Sequence, residues 1–263
     1  MIQTETVPIF SNNDLLTNEQ VVFDQLLDET GGMLLIDKEY GITSFAVVYI
    51  LRKLLGQISG IKKVKVGHAG TLDPLATGLM ILGSRRATRS LTAFLGAPKE
   101  YEVRLRLGIT SPSFDLERPI TIVHDLEGIQ ESTIIETINK FIGKQLQTPP
   151  IYSAIKQGGK PIYKKAHRGK EVTVEPKEIE IYSISDISVA LPYVNFTVRC
   201  SKGTYIRSLV SDIGDRLSTG AILTALRRTK IGDFSIADAV PQSYLQQLIR
   251  THQPAQDENN SGN

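Results

Sequence analysis

The segment from Gly67 to Gly78, which reads GHAGTLDPLATG, carries the densest set of residues that could do chemistry. Its glycines allow a ligand to approach the backbone closely or permit unusual dihedral angles. Pro74 lacks an N–H group and biases Asp73 toward extended geometry. A carboxylate held at a fixed angle beside a buried strand suits a nucleophile or a general base. The alternative is a plain turn, because Asx-Pro is a frequent turn opener.

A second segment, SKGTYIR over residues 201–207, follows a predicted strand and opens a predicted helix. Arg207 then lies in the first helical turn, where a cation opposes the helix dipole. We therefore expect an anionic partner, and either a carboxylate or an RNA phosphate would serve because arginine can bind both bidentately. The alternative is an ordinary surface ion pair.

Two further segments combine aromatic and cationic residues. Tyr101 lies in a strictly alternating run, so it is either a core residue or an aromatic platform for a base extruded from its stack. Residues 149–160, PPIYSAIKQGGK, form a stiff and then flexible loop rich in cations. This loop is interpreted as an RNA-contacting arm, with a solvated loop as the alternative.

The sequence predicts no metal site. His68 taken alone is more often a structural hydrogen-bonding residue than a catalyst, and no second ligand follows at a recognised metal spacing. The glycine spacing also lacks the Lys-Ser/Thr pair of a phosphate-binding loop. The single cysteine, Cys200, excludes a disulfide framework and favours a reducing compartment.

The elements that must position these residues are of both types. Apolar runs and alternation predict strands over 33–36, 79–82, 101–107, 179–189, 194–200, 225–230 and 234–236. Apolar residues at helical spacing predict helices over 15–27, from Thr43 or Ser44 onward, from Ser132 to a C-cap at Gly143, and over 206–217. Because there is no regular strand–helix repeat, we expect an α+β fold with a mainly antiparallel sheet.

Composition and charge are those of a globular protein with locally concentrated cations. The 263 residues are 41% apolar with a net charge of +2, enough for one large domain or two smaller ones. Residues 144–170 hold seven Lys or Arg and no acid, and smaller basic clusters lie at 62–65, 85–89 and 227–230. Converging clusters would form a phosphate-binding surface; the alternative is scattered solvated faces. With neither a membrane-length apolar run nor a signal-peptide pattern, we expect a cytoplasmic protein.

Taken in order, these segments resemble one family, the bacterial tRNA pseudouridine synthases called TruB. The matching pieces span roughly residues 32–240 and are GMLLIDK at 32–38 with GITS at 41–44, the 67–78 loop, KEY at 99–101, YSAIK at 152–156, the 201–207 segment, and LRR at 226–228. The 67–78 motif is long and highly specific.

The resemblance implies a pseudouridine synthase fold, with a mostly antiparallel central sheet, flanking helices and an RNA-binding cleft. The catalytic domain would span residues 31–250 and include a basic arm near 144–172. Residues 1–30 would form an extension and 251–263 a disordered tail. Too few residues follow Val240 for a C-terminal PUA domain.

The implied activity is isomerisation of the T-loop uridine, uridine-55, of tRNA to pseudouridine. Asp73 would be the nucleophile, attacking either the ribose anomeric carbon or the base. Arg207 would pair with Asp73 and keep it ionised, while Tyr101 would stack on the flipped base. The remaining implied substrate contacts are His68 in the gap left by that base, Tyr205 and Leu226 around the uracil, and Lys38, Gly70 and Lys156. No cofactor would be needed, and the partner would be tRNA, with no membrane and no obligate protein partner.

Two positions depart from the family pattern. Glu39 follows Lys38 where the family usually has proline, which would cost loop stiffness. Pro112 stands where the first Asp of an Asp-Thr-x-Asp run would fall, while Asp115 is kept.

Two other functions compete with the synthase. A non-catalytic RNA-binding or RNA-folding protein could use the same scaffold, although the joint presence of Asp73, Tyr101 and Arg207 argues against it. An RNA N-glycosidase would share an attack on the anomeric carbon but would release free uracil.

Overall fold

The structure is a computed structural model that describes residues 7–123, 125–153, 156–157, 160–161 and 174–252. The strands are β1 Ile9–Phe10, β2 Met33–Lys38, β3 Val66–His68, β4 Ala76–Ser84, β5 Lys99–Leu107, β6 Ile109–Thr110, β7 Thr121–Ile122, β8 Gly143–Gln147, β9 Lys156–Gln157, β10 Lys160–Pro161, β11 Lys177–Ala190, β12 Tyr193–Cys200, β13 Ala221–Ile231, β14 Phe234–Ser235 and β15 Val240–Pro241. The α-helices are α1 Asn12–Thr17, α2 Glu19–Leu27, α3 Ser44–Ser59, α4 Leu91–Gly96, α5 Glu131–Asn139, α6 Ile206–Arg216 and α7 Gln242–Thr251.

The chain divides into two compact units. The first takes residues up to Leu95 and from Phe234 onward, and the second spans Gly96–Asp233. This division differs from the boundaries expected from the sequence, and the separate extension, catalytic domain and tail stay predictions. Residues 1–6 of the extension, 253–263 of the tail and about half of the basic arm lie outside the described residues.

The first unit is organised around β2, whose apolar residues 33–36 are all buried. Strand β4 pairs with it antiparallel, β3 pairs antiparallel with β4, and the short β1 and β15 pair with β2 in parallel. Helix α3 packs against β3 and α7 with Val47, Leu51 and Leu54 fully buried. Each such leucine stabilises the fold by about 1.5–3 kcal/mol.

The second unit is built on an antiparallel sheet with strand order β13-β5-β12-β11-β8. In β5 the buried residues 101, 103, 105 and 107 alternate with the more accessible residues 102, 104 and 106. Helix α6 packs against β13 and β5, and α5 packs against β11. The buried face of β5, which carries Tyr101, therefore belongs to the core of this unit.

The structure confirms the expected α+β class and the predominance of antiparallel pairing. It also confirms that α3 begins after Thr43, whose hydroxyl accepts a hydrogen bond from the Ala46 N–H at 3.1 Å. The predicted helix over 15–27 is instead two helices that break at Asn18, and Ser11 caps the first.

Two predicted element ends are wrong. Strand β4 continues through Gly83, because this residue pairs with Met33 of β2 and Gly67 of β3. The missing side chain leaves room for Leu91, which would lie 3.2 Å from an added Cβ. Gly143 does not cap α5, which ends at Asn139; with a φ of +113° it begins β8.

Candidate active site

The backbone around Asp73 is anchored on both sides within the first unit. The Ser44 hydroxyl donates to the Leu72 carbonyl at 2.9 Å and accepts from the Leu72 N–H at 2.8 Å. On the other side, the Gly41 N–H donates to the Pro74 carbonyl at 2.9 Å. Each such bond contributes about 1 kcal/mol net. The half-buried Asp73 side chain thus projects from a loop whose path is fixed.

Lys38 supports the same loop from inside. Its side chain is 0% exposed, and its ammonium donates to the carbonyls of Glu39 at 2.9 Å, Ile42 at 2.8 Å and Pro74 at 3.3 Å. An ammonium has three donors, and three backbone oxygens receive them here. The structure therefore gives Lys38 a supporting position, and its predicted substrate contact stays a prediction.

The other predicted residues of this loop lie at its beginning. His68 ends β3 opposite Leu82 and is half-buried. Gly70 has a φ of +94°, which strongly favours glycine. The preceding Ala69 is tied to β4 by an N–H bond to the Ile81 carbonyl at 2.9 Å. Gly70 therefore lets the chain leave the sheet and turn toward Asp73.

In the second unit, Arg207 has the anionic partner that its place in a first helical turn predicts. Its Nε lies 3.7 Å from Oδ2 of Asp115, which is an ion pair longer than a hydrogen bond. Its terminal nitrogens donate to the carbonyls of Ser113 and Tyr152, each at 3.1 Å. Arg207 is 3% exposed and Asp115 is 4% exposed, so the alternative of a surface ion pair is wrong. The pairing of Arg207 with Asp73 stays a prediction.

The loop over residues 111–115 explains how a chain with Pro112 keeps a carboxylate for Arg207. The Phe114 N–H donates to the Ser111 carbonyl at 3.1 Å, which closes a turn with Pro112 at its second position, where proline is favoured. The Ser111 hydroxyl donates to the Asp115 carbonyl at 2.6 Å, and the Glu117 N–H donates to Oδ1 of Asp115 at 2.9 Å. These hydrogen bonds hold Asp115 in place. Its contact with Arg207 was not predicted from the sequence, where the only indication was that the altered Asp-Thr-x-Asp run keeps this aspartate.

Tyr205 is held through its backbone. The amide of Gln147 on β8 accepts from the Tyr205 N–H at 2.8 Å and donates to the Tyr205 carbonyl at 3.1 Å. Gln147 is 3% exposed, and sequence reasoning did not find it because the two residues are 58 positions apart. Leu226 lies half-buried on β13 opposite Val103.

Tyr101 lies beside two buried cations. Arg228, opposite Tyr101 on β13, hydrogen-bonds its phenol. Lys99 precedes Tyr101 on the same face of β5, and burial, followed by the Arg228 charge, lowers the pKa of Lys99 to about 8. Burial raises the pKa of the adjacent Cys200 thiol to about 11, which makes this cysteine a packing residue rather than a nucleophile.

Some predictions fall where the structure gives little or no description. Lys156 lies in β9, but its side chain is outside the described residues. Within the described ranges, no three His, Cys, Asp or Glu side chains lie close enough to hold a metal ion. No helix in the described part of the chain is long and apolar enough to cross a membrane.

Comparison with known proteins connects these two units to one family. The model of the TruB family pseudouridylate synthase N-terminal domain matches residues 53–206, and that of the tRNA pseudouridylate synthase B C-terminal domain matches 207–260. Among curated relatives named tRNA pseudouridine synthase B, that of Flavobacterium johnsoniae is 42% identical and aligns over 84% of this chain and 96% of its own length. That of Phocaeicola vulgatus is 45% identical over 80% of this chain and 89% of its own.

Solved structures agree on the fold. The archaeal box H/ACA sRNP Nop10-Cbf5 complex matches with a TM-score of 0.59 and 27% identity, and a Cbf5-Nop10-Gar1 complex with 0.63 and 28%. The matches cover 84% and 88% of this chain but only 53% and 62% of those chains. The α+β architecture is thus that of pseudouridine synthases. Because the first family model covers more than half of the chain and the relatives align over almost their whole length, this chain belongs to the TruB family of pseudouridylate synthases.

Proposed function

We propose that this chain isomerises a uridine of tRNA to pseudouridine, that the target is uridine-55 in the T-loop, and that Asp73 is the nucleophile. Family membership supports the reaction class. The anchored loop is the observation that supports Asp73, because Ser44 and Gly41 hold the backbone immediately before and after it. A nucleophile held in one position avoids the entropy cost of finding its target.

In the proposed reaction the carboxylate attacks either the ribose anomeric carbon or the uracil ring. The bond between N1 and the anomeric carbon breaks, the uracil turns over, and a bond forms from its C5 to the same carbon. The bond between the substrate and the Asp73 carboxylate breaks before product leaves, which regenerates the free carboxylate. The C5 proton leaves and N1 ends protonated, so substrate and product have the same atoms. The reaction needs no cofactor, and its tRNA substrate leads us to expect that it takes place in the cytoplasm.

Arg207 would act on the charge of Asp73. A guanidinium has five N–H donors, so its contacts with Asp115, Ser113 and Tyr152 are compatible with a further contact to a carboxylate. A neighbouring cation favours the ionised form of an aspartate, which is the nucleophilic form. The three described contacts would hold the guanidinium rigid, so little ordering would be needed on tRNA binding.

The remaining predicted residues would bind the substrate. Tyr101 would stack on the flipped uracil, while Tyr205 and Leu226 would line its pocket. His68 would fill the gap left in the T-loop. Gly70, Lys38 and Lys156 would contact the RNA around this site, Lys38 through the loop that it supports.

The test is incubation of the purified chain with an unmodified tRNA transcript, followed by nucleoside analysis and mapping of the modified position. We expect pseudouridine at position 55 and no free uracil. Asp73→Asn should bind tRNA and form no product, whereas Asp28→Asn, a change at an exposed carboxylate of the same unit, should behave as the unaltered chain.

The other outcomes identify the competing functions. Tight binding without product by the unaltered chain would identify an RNA-binding protein. Release of free uracil would identify an N-glycosidase. Turnover retained in Asp73→Asn would show that another residue is the nucleophile.

A further inference from the structure

Among the described residues, Arg228 is the largest fully buried side chain, with 1% exposure. Removing a charged group from water is costly unless it is paired or hydrogen-bonded. Arginine is therefore among the residues least often buried completely without a specific role. The proposed reaction does not yet use this residue.

Arg228 lies next to one candidate active-site side chain, that of Tyr101. In the antiparallel pairing of β13 with β5, Arg228 lies directly opposite Tyr101. Directly opposed residues project from the same face of a sheet and their side chains interact. Because arginine can only donate, the hydrogen bond between them runs from the guanidinium to the phenol oxygen.

The local shape of β13 also fits this role. The register of the β13–β5 pair shifts between Arg228 and Lys230, as it does at a β-bulge. Bulges re-aim the neighbouring side chains and often lie beside functional sites. Arg227, one residue earlier, is only half-buried. The strand thus directs one arginine of the pair inward.

A second cation stands on the same buried face. Lys99 is 7% exposed, lies two residues before Tyr101 on β5, and donates to the Ala97 carbonyl at 2.7 Å. The Arg228 charge contributes to the lowered pKa of Lys99, so the two cations are close enough to repel each other. A tyrosine that served only as core packing would not require two buried positive charges beside it.

We propose that Arg228 is a positioning residue for the isomerisation, and that its guanidinium holds the Tyr101 hydroxyl so that the ring meets the uracil at a constant angle. This inference rests on the proposed function, in which Tyr101 stacks on the flipped base. Lys99 adds a second buried cation on the same face of β5. Arg228 acts through Tyr101 and does not itself contact the substrate.

The first test is a double-mutant cycle with Arg228→Met, Tyr101→Phe and the double variant. Single-turnover rates are followed for hours with enzyme in excess, and tRNA binding is measured separately. We expect Arg228→Met to slow the chemical step by about ten- to a hundredfold and to leave the Kd for tRNA within about twofold. In the Tyr101→Phe background the same change should add almost nothing, because the hydroxyl that it positions is gone. If the rate losses of the two single variants multiply fully in the double variant, the proposal is overturned.

A second readout does not depend on activity. With 3-fluorotyrosine at position 101, the unaltered chain should give one sharp fluorine resonance, and Arg228→Met should shift or broaden it. An unchanged resonance would overturn the proposal even if no pseudouridine forms. If the unaltered chain is inactive but the resonance responds, the proposed function fails and the contact stands.

Two variants control for folding. Arg228→Lys keeps the cation but loses the planar fork of donors, so it should recover part of the rate and of the single resonance. A lysine variant no better than Arg228→Met would show that packing volume is what matters and would contradict the proposal. Arg104→Met removes a cation from the exposed face of the same β5 strand, where it stacks on Tyr193, and should change neither readout.

Discussion

Arg207 shows how the charge of a single residue is accommodated. In the first turn of α6 its cation opposes the helix dipole at a cost of about 0.3–1 kcal/mol. Asp115 and two backbone carbonyls offset that cost inside the core of the second unit. Such an arrangement has limited value for stability, because burying both charges is itself costly. We infer that the pair is kept because it orients the guanidinium.

Removing the carboxylate should therefore affect both stability and rate. We expect Asp115→Ala to lower the free energy of unfolding by about 3–5 kcal/mol, because it leaves a buried cation with fewer partners. The single-turnover rate should fall at least about tenfold while tRNA still binds. Urea denaturation and rapid-quench assays measure the two effects, with the exposed Glu117→Gln as the control. A normal rate in a destabilised Asp115→Ala would assign Asp115 to folding alone.

A change at Lys38 should likewise affect both stability and rate, because Lys38 supports the loop of Asp73. Lys38→Met keeps the length of the side chain but deprives three carbonyls of their donor, so we expect a loss of about 2–4 kcal/mol of unfolding free energy. The rate should fall more than tRNA affinity does, since the loop no longer holds Asp73. Lys53→Met, on the exposed side of α3, is the matched control. A Lys38 variant with a normal rate but weak tRNA binding would favour the predicted substrate contact instead.

At the scale of the element, α6 contributes polar side chains to a pocket. Ser208, Ser211 and Asp212 line this pocket of about 240 Å³, together with Pro112 and Pro149. Burial raises the pKa of Asp212 from 3.8 to about 6, and the nearby Asp215 adds to the shift. The helix therefore carries a carboxylate that is less readily ionised in the folded state than in the unfolded one.

The sign of this shift gives a pH-dependent prediction. A raised pKa in the folded state means that the stabilising contribution is complete below about pH 4 and is lost as the pH rises through about 6. Asp212→Asn should then stabilise the protein at pH 8 by about 1–2 kcal/mol, after allowance for solvent screening, and have almost no effect near pH 4. Thermal unfolding across this range tests it, with Asp233→Asn, a change at an exposed aspartate of the same unit, as the comparison. An equal effect at both pH values would contradict it.

At the scale of the whole molecule, positive and negative charges nearly balance, but the positive charges are concentrated in clusters. The chain has 30 Lys and Arg against 28 Asp and Glu. In the first unit the Arg85 N–H donates to the Lys65 carbonyl at 2.9 Å, which joins two basic clusters. The exposed cations of this joined patch are Lys62, Lys63, Lys65, Arg86 and Arg89. This convergence favours a phosphate-binding surface over scattered solvated charges.

The patch should contribute to tRNA affinity mainly through counterion release. The combined change of Lys62, Lys63 and Lys65 to Ala should weaken tRNA binding. It should also make the negative slope of the logarithm of the binding constant against the logarithm of the salt concentration less steep by about 2–3. Filter binding between about 50 and 200 mM salt measures that slope. The exposed Lys53, Lys140 and Lys177, changed together to Ala, remove the same charge elsewhere. Equal slopes for the two triple variants would show that only net charge matters.

The sequence by itself determined what depends on neighbouring residues and on the order of motifs. Alternation predicted β5, a threonine before an apolar stripe predicted the start of α3, and the ordered motifs identified the family. The predicted need of Arg207 for an anion also came from its place at a helix start. These conclusions hold because period, capping and charge act over a few residues, which is the range that a sequence displays directly.

Only the tertiary structure decided which distant residues meet. It paired Arg207 with Asp115, 92 positions away, bound the backbone of Tyr205 to Gln147, and set Arg228 opposite Tyr101. It also showed that Lys38 supports the loop of Asp73 by donating to the Pro74 carbonyl. The residues next to Lys38 in the sequence did not indicate this contact. Strand register sets Arg228 opposite Tyr101, and a shift of one residue would turn the Arg228 side chain to the other face of the sheet. Those long-range pairings follow from the packing of the entire unit, which no local pattern encodes.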